Sequence, residues 1–125
     1  MIYLDTHVLV WLYASAGKKI SPLASTAIEA EQDLRISPMV LLEIDFLHEI
    51  QRITVGSKEI YTYLHRHIGL NLCNQPFAEI VRAAADQSWT RDPFDRLIVA
   101  HAAIGEHPLI SKDSAIQEHY PETIW

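Results

Sequence analysis

The sequence predicts an α/β domain whose strands lie in a mostly parallel sheet covered by helices on both faces. Three observations carry that expectation. Short apolar runs alternate with helical stretches from one end of the chain to the other, which requires crossover connections. Ser-Pro and Asp-Pro pairs sit where several of the helices would begin. Finally, 125 residues with 49% hydrophobic content and a mean hydropathy of +0.03 suffice for one domain, residues 1–125, with a real core.

Met1 to Leu4 is a short apolar run ending at Asp5, as in a buried strand. From Thr6, the apolar residues Val8, Leu9, Trp11, Leu12 and Ala16 recur at helical spacing, and Gly17 supplies a stop. Ser21-Pro22 opens a helix to about Gln32, Leu34 to Ser37 has the length of a strand, and Ser37-Pro38 opens a helix to about Ile50. Ser57 is expected to cap a helix through Tyr61 and Leu64. Leu70 to Cys73 is strand-like, and Pro76 starts an alanine-rich helix through Ala85. Asp92-Pro93 caps a helix from Phe94 to about Ile104, ended by Gly105. Pro108 to Ser111 is a strand, Ser114 to His119 a short helix, and Thr123 to Trp125 a closing strand.

Composition narrows the function. Ten Lys and Arg against sixteen Asp and Glu give a net charge of −6, which weighs against a protein that coats itself with nucleic acid. The single cysteine, Cys73, permits neither an intrachain disulfide nor a cysteine-rich zinc site, consistent with a cytoplasmic protein. No stretch approaches the roughly 20 apolar residues of a membrane span. No basic segment precedes the apolar start, so Met1 is expected to open the fold and not a signal peptide.

Ligands of open parallel sheets bind beyond the carboxyl ends of the strands, and three acids fall in such places. Asp5 follows the first strand, Asp113 follows the Leu109-Ile110 run, and Asp95 lies in the first helical turn after Pro93. Glu43 is the sharper signal. A helical wheel puts it on one stripe with Met39, Leu42, Phe46 and Ile50, flanked by Val40 and Leu47, and opposite Asp45, His48 and Glu49. A carboxylate on a core-facing side costs several kcal/mol unless paired or bound to metal. Its partner is therefore an arginine (Arg82, Arg91 or Arg96) or a metal held jointly with the other acids. Hard oxygen donors without a second cysteine or a paired histidine motif favour Mg²⁺ or Mn²⁺ over zinc. His7 neighbours Asp5, His101 is expected as a satisfied core histidine, and His65 and His67 flank Arg66 at a solvated helix end.

The segments IYLDTHVLVW, SPMVLLEI, RDPFDRLIVAHA and LISKDSAI, in that order, resemble the PIN-domain ribonucleases, and specifically the VapC-type toxins of bacterial toxin–antitoxin pairs. The resemblance implies a PIN-like three-layer α/β/α fold and an acidic quartet at Asp5, Glu43, Asp95 and Asp113. Thr6 matches the small hydroxyl residue that helps hold metal or water. Asp92 matches a branch of the family with a DPFD sequence, although helix capping is its simplest role. The implied activity is Mg²⁺-dependent endoribonucleolytic cleavage by metal-activated water, leaving 5′-phosphate and 3′-hydroxyl ends. The implied partners are RNA, a small cognate antitoxin and a second copy of the chain in a homodimer. Arg91, Arg96 and Lys112 flank the acids as candidate phosphate contacts.

Four competing readings follow from the same residues. A PIN nuclease of RNA processing would have the same site and no antitoxin. A phosphoacceptor receiver domain needs an adjacent acidic pair where Thr6 and His7 follow Asp5, and a haloacid-type phosphatase needs an aspartate where His7 stands. A degenerate PIN fold acting only as a binding module would not need the intact quartet. Two divalent ions at that quartet would cancel four of the six net negative charges. The acidity therefore leaves room for RNA, with weak non-specific affinity and a shallow salt dependence.

Overall fold

A computed structural model describes residues 1–15 and 17–125; Ala16, placed on the first helical stripe by its spacing, lies outside them. The elements run β1 (Ile2–Leu4), α1 (Thr6–Ala14), α2 (Pro22–Ala30), β2 (Leu34–Ile36), α3 (Pro38–Glu49) and α4 (Ser57–Ile68). They continue through β3 (Asn71–Leu72), α5 (Phe77–Ala84), α6 (Pro93–Ala103), β4 (Leu109–Ile110), α7 (Ser114–His119) and β5 (Thr123–Ile124). All strand pairs are parallel, in the order β3-β2-β1-β4-β5. The expected α/β/α architecture with a central parallel sheet is therefore the observed one.

Side-chain caps account for most helix starts. Ser21 accepts from the Ala24 N–H at 3.1 Å, and Ser37 from Met39 at 3.1 Å, each followed by proline in the first turn. Helix α4 departs from expectation: Gly56 occupies the cap position and Ser57 is the first helical residue. The Asp45 carboxylate on α3 caps it from outside, accepting from the Ser57 N–H and hydroxyl, each at 2.8 Å. Asp45→Ala is therefore expected to cost about 1–2 kcal/mol. A fall in the chemical-denaturation midpoint at constant slope would show it, and an unchanged midpoint would reject the tether.

Helix α6 also ends differently. Gly105 keeps negative φ while Glu106 takes the left-handed conformation, at φ 54°. A Cβ at Gly105 would meet the far end of the His107 imidazole, which would have to move aside.

The sheet supplies the centre of the core through Tyr3, Leu4, Leu34, Ile36, Leu109 and Ile110, all at most 2% exposed. Helix α1 packs on α3 and α4, α3 on α6, and α6 on α5. The wheel for α3 needs correction. Val40 and Ile44 are its buried residues, whereas Leu42, Phe46 and Ile50 are 55%, 47% and 47% exposed. The helix is apolar on two sides, so periodicity could not tell which one meets the sheet. Glu43 lies between them, half-buried, at the edge of the core.

The order of strands fixes where a ligand can bind. From β1 the chain builds outward through β2 and β3, then returns to place β4 and β5 on the other side. Tyr3 pairs with Leu109 and Leu4 with Ile110, and the Asp5 N–H donates to the Ile110 carbonyl at 3.0 Å. Asp5 and Ser111 therefore emerge side by side at the carboxyl ends of the two strands that flank the topological switch point.

Candidate active site

Asp5 is 7% exposed and both its oxygens are engaged. Oδ1 accepts from the Thr6 N–H at 2.8 Å, capping α1, and Oδ2 accepts from the Ser111 hydroxyl at 2.6 Å. Ser111, fully buried, accepts in turn from the Asp113 N–H at 3.1 Å, so one hydroxyl ties the two acids together. Asp113 caps α7, its Oδ1 accepting from Ala115 and Ile116 at 2.9 and 3.0 Å. Across the site, the fully buried Thr6 donates its hydroxyl to Glu43 Oε1.

Helix α6 brings the remaining acids. Asp92 Oδ1 accepts from the Phe94 and Asp95 N–H groups at 2.8 and 3.4 Å, so it is a helix cap. Its side chain also faces a cavity of about 450 Å³ lined by Asp5, His7, Trp11, Glu43, Asp92, Asp95, Lys112 and Asp113. The fold thus gathers the whole predicted quartet, with Asp92 and Lys112, at one place. Capping and lining are compatible for Asp92, because the cap uses only one oxygen.

The arginine alternative for Glu43 finds no support. Ion pairs among the described residues join the N-terminus to Glu31, Arg35 to Asp33 and His119 to Glu118, and none reaches the cavity. Arg96 donates Nε–H to the Thr90 carbonyl at 2.7 Å and lines a separate apolar cavity with Val81, Ala84, Ala85, Pro93 and Leu97. It braces the segment before α6 and does not face the acids, contrary to its expected place beside them. Arg91 is exposed and does not line the acidic cavity. Lys112 does line it, with Nζ 5.7 Å from the centre of the Trp11 ring.

Uncompensated acids in a half-buried pocket hold protons tightly. Burial, opposed by the Ser111 and Thr6 hydrogen bonds, keeps the Asp5 carboxyl above its ordinary range. Glu43 is raised by burial and then by the charges of Asp5 and Asp92, while the Thr6 hydroxyl opposes the shift. Asp95 is pushed up to about 7, first by burial and then by Asp92, Asp5, Asp113 and Glu43. Among the described residues, no three acidic, histidine or cysteine side chains close upon one point. The carboxylates are instead distributed around the wall of the cavity. Their donor set is hard oxygen throughout and suits Mg²⁺ or Mn²⁺.

Size does not pick out this site. A larger groove of about 630 Å³ lies over α4, lined by residues including Asp45, Lys58, Tyr63 and His67, but its Asp45 is spent on capping. What distinguishes the smaller cavity is five carboxylates converging at the switch point of a parallel sheet.

Comparison with known proteins agrees with that geometry. The PIN domain family matches residues 2–121. The chain belongs to the PIN-domain family. Ribonuclease VapC22 of Mycobacterium tuberculosis (strain ATCC 25618 / H37Rv) is 29% identical over 133 aligned positions, covering 99% of this chain and 98% of that protein. A toxin-antitoxin complex from Klebsiella pneumoniae contains a chain of the same fold, at TM-score 0.70 and 19% identity, covering 100% of this chain and 97% of that one. VapBC2 from Rickettsia felis, bound to a DNA fragment from their promoter, gives 0.68 and 16%, covering 99% and 96%. PIN membership removes the receiver and phosphatase alternatives.

Within the PIN fold, sequence reasoning missed Ser111 and Trp11 as site residues. Ser111 ends a buried apolar run two residues before Asp113, and a hydroxyl at that place was the available signal. Trp11, on the apolar stripe of α1, does pack against the core as expected, and it also lines the cavity. His7 is exposed, lines the cavity and lies 6.0 Å from the Trp11 ring. His101 is buried at 2% exposure, as expected of a core histidine, but it is not satisfied. Its Nδ1 has no hydrogen-bond partner among the described residues, and burial lowers its pKa to about 4. His65 and His67 lie exposed at the end of α4, as expected.

Proposed function

We propose that this PIN domain is a metal-dependent endoribonuclease and the toxin of a toxin–antitoxin pair. The observation that carries the nuclease assignment is the acidic cavity at the switch point, where Asp5, Glu43, Asp92, Asp95 and Asp113 meet without a neutralising arginine. The toxin assignment rests on likeness to a protein named a ribonuclease and to chains of toxin–antitoxin complexes.

A divalent cation bound there, Mg²⁺ or Mn²⁺, would supply an acidified water and charge compensation at phosphorus and the departing oxygen. Asp5, Asp95 and Asp113 would hold that cation. Ser111 keeps Asp5 and Asp113 in register, so that the two strand ends present their carboxylates together. Glu43, fixed through Oε1 by Thr6, would hold the cation or orient the attacking water with its other oxygen. Asp92 sets the start of α6 and thereby the position of Asp95. Lys112 is the cation placed to meet a substrate phosphate. Cleavage leaves a 5′-phosphate and a 3′-hydroxyl.

The natural partners are RNA, a small antitoxin and a second copy of the chain, all in the cytoplasm. No helix among the described residues is long and apolar enough to cross a membrane. The exposed Leu42, Phe46 and Ile50 row on α3, with Phe46 stacked on Phe94 at 6.4 Å, is a surface of the type that homodimers cover.

Purified protein incubated with total RNA is expected to cleave it in Mg²⁺ or Mn²⁺ and to stop in EDTA. Cleavage undiminished by chelation would reject the metal. Growth arrest on expression, relieved by a neighbouring small gene, is expected of a toxin. Nuclease activity without growth arrest would favour the RNA-processing reading.

A further inference from the structure

The acidic cavity continues into a second groove of about 300 Å³, whose lining includes His7, Trp11, Lys19, Leu47, Arg52 and Ile53. His7 and Trp11 belong to both walls, so the two spaces adjoin along α1. The sign of charge changes at that boundary. One side presents five carboxylates; the other presents Lys19 and Arg52 and has no acid in its lining. Neither cation forms an ion pair among the described residues, and both are exposed. An indole at the boundary, with unpaired cations beyond it, is the combination that holds a nucleic-acid strand through base stacking and phosphate contacts.

We propose that this groove is a nucleotide subsite flanking the scissile phosphate. Trp11 stacks a base of the adjoining nucleotide, and Lys19 and Arg52 take the phosphates that follow. The assignment rests on the nuclease reading above and adds the direction in which the strand leaves the site. The local basic groove also reconciles the net charge of −6 with a polyanionic substrate.

Steady-state cleavage of a fluorescent single-stranded oligoribonucleotide in Mg²⁺, over a series of salt concentrations, tests it. Lys19→Ala and Arg52→Ala are expected to raise KM several-fold with kcat unchanged. Each should lower the slope of log affinity against log salt by about 0.7, the value for one single-strand phosphate contact. Trp11→Ala should raise KM about tenfold or more without changing that slope, and Trp11→Phe should restore most of the loss. A folded Trp11→Ala with wild-type KM, or a Trp11→Phe no better than Trp11→Ala, would overturn the stacking role. Wild-type KM and slope in both cation variants would overturn the phosphate path. If the variants escape inhibition by the antitoxin while their KM for RNA stays unchanged, the groove is a protein-docking face and the proposal fails. Absence of Mg²⁺-dependent cleavage in the wild type itself would reject the nuclease reading, and the subsite with it.

Discussion

Asp5→Asn is expected to lower Mg²⁺-dependent RNA cleavage by on the order of a thousandfold while the fold persists. Such a loss corresponds to about 4 kcal/mol of transition-state stabilisation, the scale at which removal of one fixed electrostatic group acts. The fold should survive because asparagine can keep both structural roles of Asp5. Its Oδ1 still accepts from the Thr6 N–H, and asparagine is as good a cap as aspartate. Its amide can donate to the Ser111 hydroxyl in place of accepting from it, because the rotating hydroxyl reverses roles. What disappears is the negative charge. Circular dichroism and the denaturation midpoint check the fold, and initial cleavage rates check the chemistry. A variant that is folded and retains wild-type activity would remove Asp5 from the site. The same measurement on Ser111→Ala should give a smaller loss, because that hydroxyl positions Asp5 and Asp113 without supplying charge.

The second large effect concerns stability. In EDTA, the wild-type protein is expected to lose stability relative to Asp95→Asn as pH rises from about 4 to about 7. The Asp95 carboxyl titrates near 7 in the folded chain against 3.8 for the unperturbed group, owing to burial and the neighbouring acids. Between those values the folded state retains a proton that the unfolded chain has released, so unfolding becomes easier as the solution grows more alkaline. The contribution is fully present below about 4 and gone above about 7. A three-unit shift corresponds to about 4 kcal/mol at most, and solvent screening at this half-buried site reduces that to about 1–2 kcal/mol. Asparagine carries no titrating proton and leaves this component flat. Parallel stability profiles for the two proteins would refute the assignment.

Mn²⁺ should reverse the penalty at pH 8. At a hundredfold excess over its dissociation constant, an ion that binds only the folded chain adds about 2.7 kcal/mol, on the order of 10 °C in Tm for a domain of this size. Asp95→Asn should lose most of that rise. This thermal shift needs no RNA, so it tests the metal site separately from the nuclease activity. A wild-type Tm that does not respond to Mn²⁺ would speak against a cation at these carboxylates.

Much of the fold was legible in the chain because its signals are local. Ser21-Pro22, Ser37-Pro38 and Asp92-Pro93 mark helix starts through caps that a few residues suffice to form. The buried runs of β1, β2 and β4 are apolar without alternation, as strands covered on both faces must be. Asp5, Asp95 and Asp113 were locatable because strand ends and helix first turns are positions along the sequence. Helix α3 shows the limit. With apolar residues on two sides, its periodicity could not say that Val40 and Ile44 face inward while Leu42 and Phe46 remain exposed.

By itself, then, the sequence determined the α/β class and singled out the acids that the fold gathers, whose donor set is hard oxygen. Each follows from residue type and short-range spacing. Only the tertiary structure decided what those acids meet. The order β3-β2-β1-β4-β5 brings Asp5 beside Ser111, a separation of 106 residues, and α3 delivers Glu43 to the Thr6 hydroxyl across 37. The structure also turned Arg96 away from the acids and set Trp11 between a ring of carboxylates and a pair of cations. Those facts depend on strand order, register and helix rotation, which arise from the packing of the whole chain, so no local pattern could contain them.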